Sequence, residues 1–127
     1  MPDLRPGRVE TTGIDHIYLT VSDMAVSERF YDTVLGLMDF RKGDMAIGGE
    51  AHRHYFNKIT QISIRPARRK ATHDPYAPGL HHLCLQVGSN AELDRLAKLL
   101  RAADIETTDP AFYPQYAEDY FAIFFFD

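Results

Sequence analysis

The chain is short of cysteine, of long apolar runs and of net positive charge, and each shortage removes a class of protein. Cys84 is the only cysteine among the 127 residues, so no disulfide can form within the chain. The longest unbroken apolar run is Phe121 to Phe126, far below the roughly 20 residues that a helix needs to span a bilayer. The formal net charge is −4, which gives no overall basic field for nucleic acid. The opening stretch MPDLRPGRVETT mixes charges with prolines and has no apolar h-region, so no secretory signal is expected. A cytoplasmic location is the default expectation, with neither nucleic acid nor membrane as partner. What is present is an ordinary globular mix, 45% hydrophobic and 25% charged, of a length that suits one domain or two small modules sharing a core.

The chain repeats itself. GIDHIYLTV (Gly13 to Val21) and GLHHLCLQV (Gly79 to Val87) align without gaps, and His16 matches His82 at an offset of 66 residues. A helix signal follows each copy. In the first, Ser22 or Asp23 can cap, Val26, Phe30, Val34 and Leu35 share a helical face, and Gly36 is placed to end the helix with a positive φ. In the second, Ser89 and Glu92 form a capping box ahead of Leu93, Leu96, Ala97 and Leu100. Strands are expected near 37–42, 52–57 and 59–65, then near 104–108 and 120–126. The first unit reads β-α-β-β-β and the second β-α-β-β, so one more strand is expected beyond Asp127. The organisation expected is a tail over 1–12 and one domain over 13–127. That domain divides into a first module (about 13–65), a proline- and charge-rich linker (66–78) and a second module (about 79–127).

Side chains on a strand alternate between faces. Ile17, Leu19 and Val21 share one face, and His16, Tyr18 and Thr20 the other. In the second copy Leu83, Leu85 and Val87 share one face, and His82, Cys84 and Gln86 the other. The aliphatic faces should pack on the helices. The polar face then collects His16, His82 and Gln61, provided the modules lie side by side. Two imidazoles and an amide oxygen suit a borderline divalent metal. A lone strand histidine is more often structural; two at equivalent repeat positions weigh towards ligation.

DHIYLTVSDMAVSERFYDTVLGL (Asp15 to Leu37), GLHHLCLQVGSNAELDRLAKLL (Gly79 to Leu100) and the tail from Tyr113 to Asp127 resemble the vicinal oxygen chelate superfamily, also called the glyoxalase/bleomycin resistance/dioxygenase family. The resemblance implies an α+β fold: two βαβββ modules forming a U-shaped mixed sheet around a cavity, here without its last strand. It implies metal ligands at His16, Gln61 and His82, and a glutamate on the final strand that these residues do not include. The cofactor implied is a divalent metal ion (Zn, Ni, Mn, Co or Fe). The function expected is that of a metal-dependent lyase, isomerase or epimerase whose small oxygen-rich substrate is chelated through adjacent oxygens. The alternatives are a metal-free ligand-sequestering protein of the bleomycin-resistance type and a ring-cleaving dioxygenase. A homodimer is expected, because a half-closed sheet leaves open edges.

Other residues invite weaker readings. His52 and His54 alternate on one strand face and suit packing or solvent better than substrate contact. Arg65, Arg68, Arg69 and Lys70 read as a solvated basic cluster that could hold an anion. Glu50 and Glu118 read as surface charges. Cys84 reads as a buried, inert thiol, and Tyr113, Tyr116 and Tyr120 as packing residues or a cavity rim.

Overall fold

Two turns set the register of the first half of the chain. The computed structural model describes residues 7–127; the first half of the expected N-terminal tail, residues 1–6, lies outside them. The elements run β1 (His16–Val21), α1 (Met24–Leu37), β2 (Arg41–Ile47), β3 (Glu50–Phe56), β4 (Gln61–Pro66), α2 (Asn90–Ala102), β5 (Ala111–Phe112) and β6 (Phe121–Ala122). Gly48 and Gly49 join β2 to β3 with φ of 60° and 79°. Two successive positive φ values match the twist of an antiparallel hairpin, and only glycine adopts them without strain. The β3–β4 turn is held by Asn57, whose Oδ1 accepts from the backbone N–H of Ile59 at 2.8 Å and of Thr60 at 2.9 Å. Thr60 then donates its hydroxyl to the Ile14 carbonyl at 3.1 Å. That bond fastens the start of β1 to the turn and aligns His16 with Gln61.

The four-stranded sheet has the order β1-β4-β3-β2, with β1 parallel to β4 and the other pairs antiparallel. Together with the two helices it makes the α+β architecture expected. Its helix-facing side carries Val21, Tyr55, Ile62 and Ile64, which close on Leu35 of α1. A second cluster joins Val34 of α1 to Leu96 and Leu100 of α2. Neighbouring residues of α1 thus serve two cores, and α1 is the shared wall between them.

Both helices are capped as the residues suggest. Asp23 accepts from the Val26 N–H and Ser89 from the Glu92 N–H, each at 3.1 Å. The helix end differs from expectation. Gly36 stays helical, α1 runs on through Leu37, and Asp39 takes the left-handed position at φ 64°. Phe40 donates back to the Leu35 carbonyl at 2.9 Å, and in the second module Ile105 repeats this to Leu100 at 2.9 Å, past Asp104 at φ 63°. Asp tolerates this conformation better than most residues, and the apolar residue after it then drops onto the core.

The second module is less regular. Leu83, Leu85 and Val87 point inward while His82, Cys84 and Gln86 are exposed, so the alternation of a strand is present. Yet residues 80–87 join no ladder. In the first module the equivalent strand, β1, pairs only with β4; among the described residues the second module has no counterpart of β4 beside residues 80–87. Leu83 and Leu85 pack on the first module's core rather than on α2. The expected strand near 104–108 is reduced to a bridge between Thr107 and Phe125. The expected strand near 120–126 is ordered as β6, which pairs with the unforeseen β5. Among the described residues no helix is long and apolar enough to cross a membrane.

Candidate functional site

The register brings the polar residues of the sheet into rows on the face turned away from the helices. Parallel pairing sets His16 beside Gln61, Tyr18 beside Ser63 and Thr20 beside Arg65. Antiparallel pairing sets Phe56 beside Gln61 and His54 beside Ser63. Continued by one pair of residues, the same register sets His52 beside Arg65.

The first row holds two of the three metal-ligand candidates. The His16 side chain is half-exposed, and its Nδ1 lies 2.7 Å from Asp15 Oδ2. A carboxylate there accepts a hydrogen bond from Nδ1–H, which holds the proton on Nδ1 and leaves the lone pair on Nε2, as the supporting groups of metal-binding histidines do. Gln61 donates from Nε2 to Ser63 Oγ at 2.9 Å, which leaves its Oε1 available. One imidazole nitrogen and one amide oxygen on neighbouring strands suit a borderline divalent metal. His82, the third candidate, is exposed on the side its phase requires. Its Nδ1 sits 2.8 Å from His81 Nδ1, and the rings meet edge to face at 5.1 Å. When His82 is the donor in that pair, its own Nε2 lone pair is free. No hydrogen bond or ring contact joins it to His16 or Gln61 among the described residues. Nor do three His, Cys, Asp or Glu side chains gather as a metal-holding group among those residues. Asp15 and His81 are equivalent in the repeat, so each candidate histidine is braced by the residue before it.

The second row is a hydrogen-bond chain. The Gln61 amide nitrogen donates to Ser63 Oγ at 2.9 Å and also lies 3.3 Å from His54 Nδ1, which makes Nδ1 an acceptor there and the Ser63 hydroxyl, 2.7 Å from it, a donor. His54 is then the tautomer that carries its proton on Nε2. That nitrogen is buried without a partner, as are both ring nitrogens of His52, a residue only 3% exposed. Tyr18 meets both rings edge-on, at 5.6 Å for His52 and 6.1 Å for His54. His52 is therefore packed and not solvent-facing. The sequence signal for this pair was their shared phase on one strand.

Charge gathers at the far end of the sheet. Glu50 accepts from Arg65 at 2.6 Å and from Arg68 at 3.0 Å. Arg68, with Arg65 second, holds the Glu50 carboxyl down to about 2. Glu50 is thus a bridge between two guanidiniums and not a free surface charge. Thr20, Arg65, Pro66 and Arg68 line an open cavity of about 360 Å³.

Cys84 is exposed, contrary to the buried thiol expected, because no strand covers that edge. Its Sγ lies 3.3 Å from the Tyr120 hydroxyl, an interaction that raises the phenol's pKa. Tyr116 packs against both Tyr113 and Tyr120.

Residues 13–127 match the Glyoxalase/Bleomycin resistance protein/Dioxygenase superfamily. The chain belongs to that superfamily. Solved structures agree. A glyoxylase/bleomycin resistance protein/dioxygenase domain from Frankia sp. EAN1pec is 27% identical, with 83% of this chain and 84% of that one covered and a TM-score of 0.68. A lactoylglutathione lyase from Agrobacterium tumefaciens is 18% identical over 82% of this chain and 79% of that one, with a TM-score of 0.60. A fosfomycin resistance protein, FosX, from Listeria monocytogenes is 16% identical over 93% and 86%, with a TM-score of 0.59; it is complexed with Mn(II) and 1S,2S-dihydroxypropylphosphonic acid. The last two likenesses concern the fold alone. No curated protein matches the sequence.

Proposed function

We propose that the chain is a metal-dependent enzyme of the lyase, isomerase or epimerase type, acting on a small substrate with two adjacent oxygens. The observation that carries this reading is the Asp15-braced His16 aligned beside Gln61. In it His16, Gln61 and His82 hold a divalent ion, Asp15 fixes the His16 tautomer, and Ser63 fixes the Gln61 amide. Such an ion supplies Lewis-acid stabilisation of charge on substrate oxygens. The hydrogen bonds behind His16 and Gln61 position these two ligands, and the proton transfer of an isomerisation or epimerisation requires a general base besides.

The test is metal-dependent binding. Equilibrium dialysis should follow 1S,2S-dihydroxypropylphosphonic acid and lactoylglutathione against chain loaded with Mn(II), Ni(II) or Zn(II). Saturable binding of one of them should disappear with EDTA and in His16→Ala. Binding indifferent to metal would move the site to the second reading, metal-free ligand sequestration. That alternative is supported by the unpartnered imidazoles of His52 and His54, which offer donors without any metal.

The proposal includes a homodimer. It is supported by apolar surface left open at Phe112, 57% exposed, and Phe126, 81% exposed. A light-scattering mass near 14.5 kDa at micromolar concentration would contradict it.

A further inference from the structure

His52 is the least explained residue of the polar face. It is 3% exposed, yet neither ring nitrogen has a hydrogen-bond partner, and His54 Nε2 beside it is equally orphaned. A buried donor or acceptor left unsatisfied is costly, and three such atoms belong to these two neighbouring rings. The rings that touch His52, those of Tyr18 and His54, supply no hydrogen bond to it. One pair of residues past the end of the β3–β4 ladder, the same register brings Arg65 next to His52, and Arg65 lines the cavity of about 360 Å³ with Thr20, Pro66 and Arg68.

We propose that the row Thr20, Arg65 and His52, with His54 beside it, binds a compact oxyanion: a carboxylate, phosphonate or phosphate group. Charge decides between anion and cation. Two guanidiniums share one carboxylate here, since Arg65 and Arg68 both pair with Glu50, and the local balance is positive. A cation placed against His52 would face Arg65. An anion instead meets a guanidinium, a threonine hydroxyl and imidazole N–H groups, and charge-assisted hydrogen bonds to such groups are strong. The Gln61–Ser63–His54 chain fits the same purpose, because it leaves the proton on His54 Nε2 as a donor. The Tyr18 ring, which meets both imidazoles edge-on, is 41% exposed and has solvent to turn into. The site adjoins the metal-ligand candidates through the Gln61–Ser63–His54 chain, but the anion it binds uses none of His16, Gln61 or His82, so it goes beyond the metal reading and can be tested with metal removed.

The experiment titrates EDTA-treated, isotope-labelled chain with inorganic phosphate and, separately, acetate. Chloride at matched ionic strength is the control, and the histidine ring signals are the readout. The His52 and His54 signals should move saturably with phosphate or acetate and stay still with chloride. Stronger binding of phosphate assigns a tetrahedral group, and stronger binding of acetate a carboxylate. His52→Phe and Arg65→Met should each weaken binding by about tenfold or more, and Tyr18→Ala should bind at least as tightly as wild type. Should His52→Phe fail to fold, the wild-type ring signals and Arg65→Met decide alone. Silent rings with movement confined to the Arg68–Lys70 amides would overturn the proposal, as would a folded His52→Phe that binds phosphate like wild type.

Discussion

The two modules start from matching segments and arrive at different states. Residues 16–21 become β1, held along their length by β4. Residues 80–87 keep the same inward-outward alternation but pair with nothing. Composition does not explain this, since the second segment is no less apolar on its inward face. Alternation comes from side chains seeking the core, which Leu83, Leu85 and Val87 still find. A ladder also requires a neighbouring backbone with free N–H and C=O groups, and among the described residues none lies in register beside 80–87. Burial and hydrogen bonding, inseparable in the first module, come apart in the second.

The largest test of this contrast is in the cores. Ile64 is fully buried among the residues of the first cluster, whereas Leu85 is only half-buried against it. Ile64→Ala should destabilise the chain by about 2–5 kcal/mol, measured by urea unfolding, and Leu85→Ala by clearly less. Equal losses would mean that the unpaired segment carries as much of the core as the sheet does. Amide exchange reads the backbone side of the same contrast. The amides of Leu83 to Gln86 should exchange about a hundredfold or more faster than those of Ile62 to Ile64, because local opening costs least where no ladder exists.

Smaller effects ask whether the modules still match where they should. Asp23→Ala and Ser89→Ala each remove one N-cap hydrogen bond of 3.1 Å and should each cost about 1 kcal/mol. A loss at only one of them would show that the two helix starts are not equivalent. The smallest effect is expected at Glu50. Its carboxyl, ordinarily near 4.5, is held at about 2 by Arg68 and Arg65. A folded-state value below the unfolded one stabilises at pH above 4.5 and is lost as pH falls towards 2. Thermal melts should show this component between those limits in wild type and not in Glu50→Gln.

The strand phase of the candidate residues could be read from the sequence because it depends on period and repeat. The phase of His16, Gln61 and His82 followed from alternation alone, and Asp23 and Ser89 from capping chemistry. What could not be read depends on partners distant in sequence. The rows His16–Gln61 and His54–Ser63 exist because Asn57 and Thr60 fix one register out of several. The contact between His52 and Tyr18 exists because Tyr18 reaches across β4 from β1 to β3. The exposure of Cys84 follows from a pairing that is not made. Gly36 misled because glycine permits a left-handed turn without requiring one, and Asp39 is placed where the Phe40–Leu35 bond demands it.

The central claim is that His16, with Asp15 behind it and Gln61 beside it, takes a divalent metal together with His82. Cobalt(II) tests it most directly, because its visible spectrum responds to imidazole ligation and needs no substrate. Titration of wild type should give saturable binding of one ion per chain with a ligand-field spectrum. His16→Ala and His82→Ala should lose it, and Asp15→Asn should weaken it by about 10–100-fold, as loss of a supporting hydrogen bond does. An unaltered spectrum and stoichiometry in both histidine variants would contradict the claim.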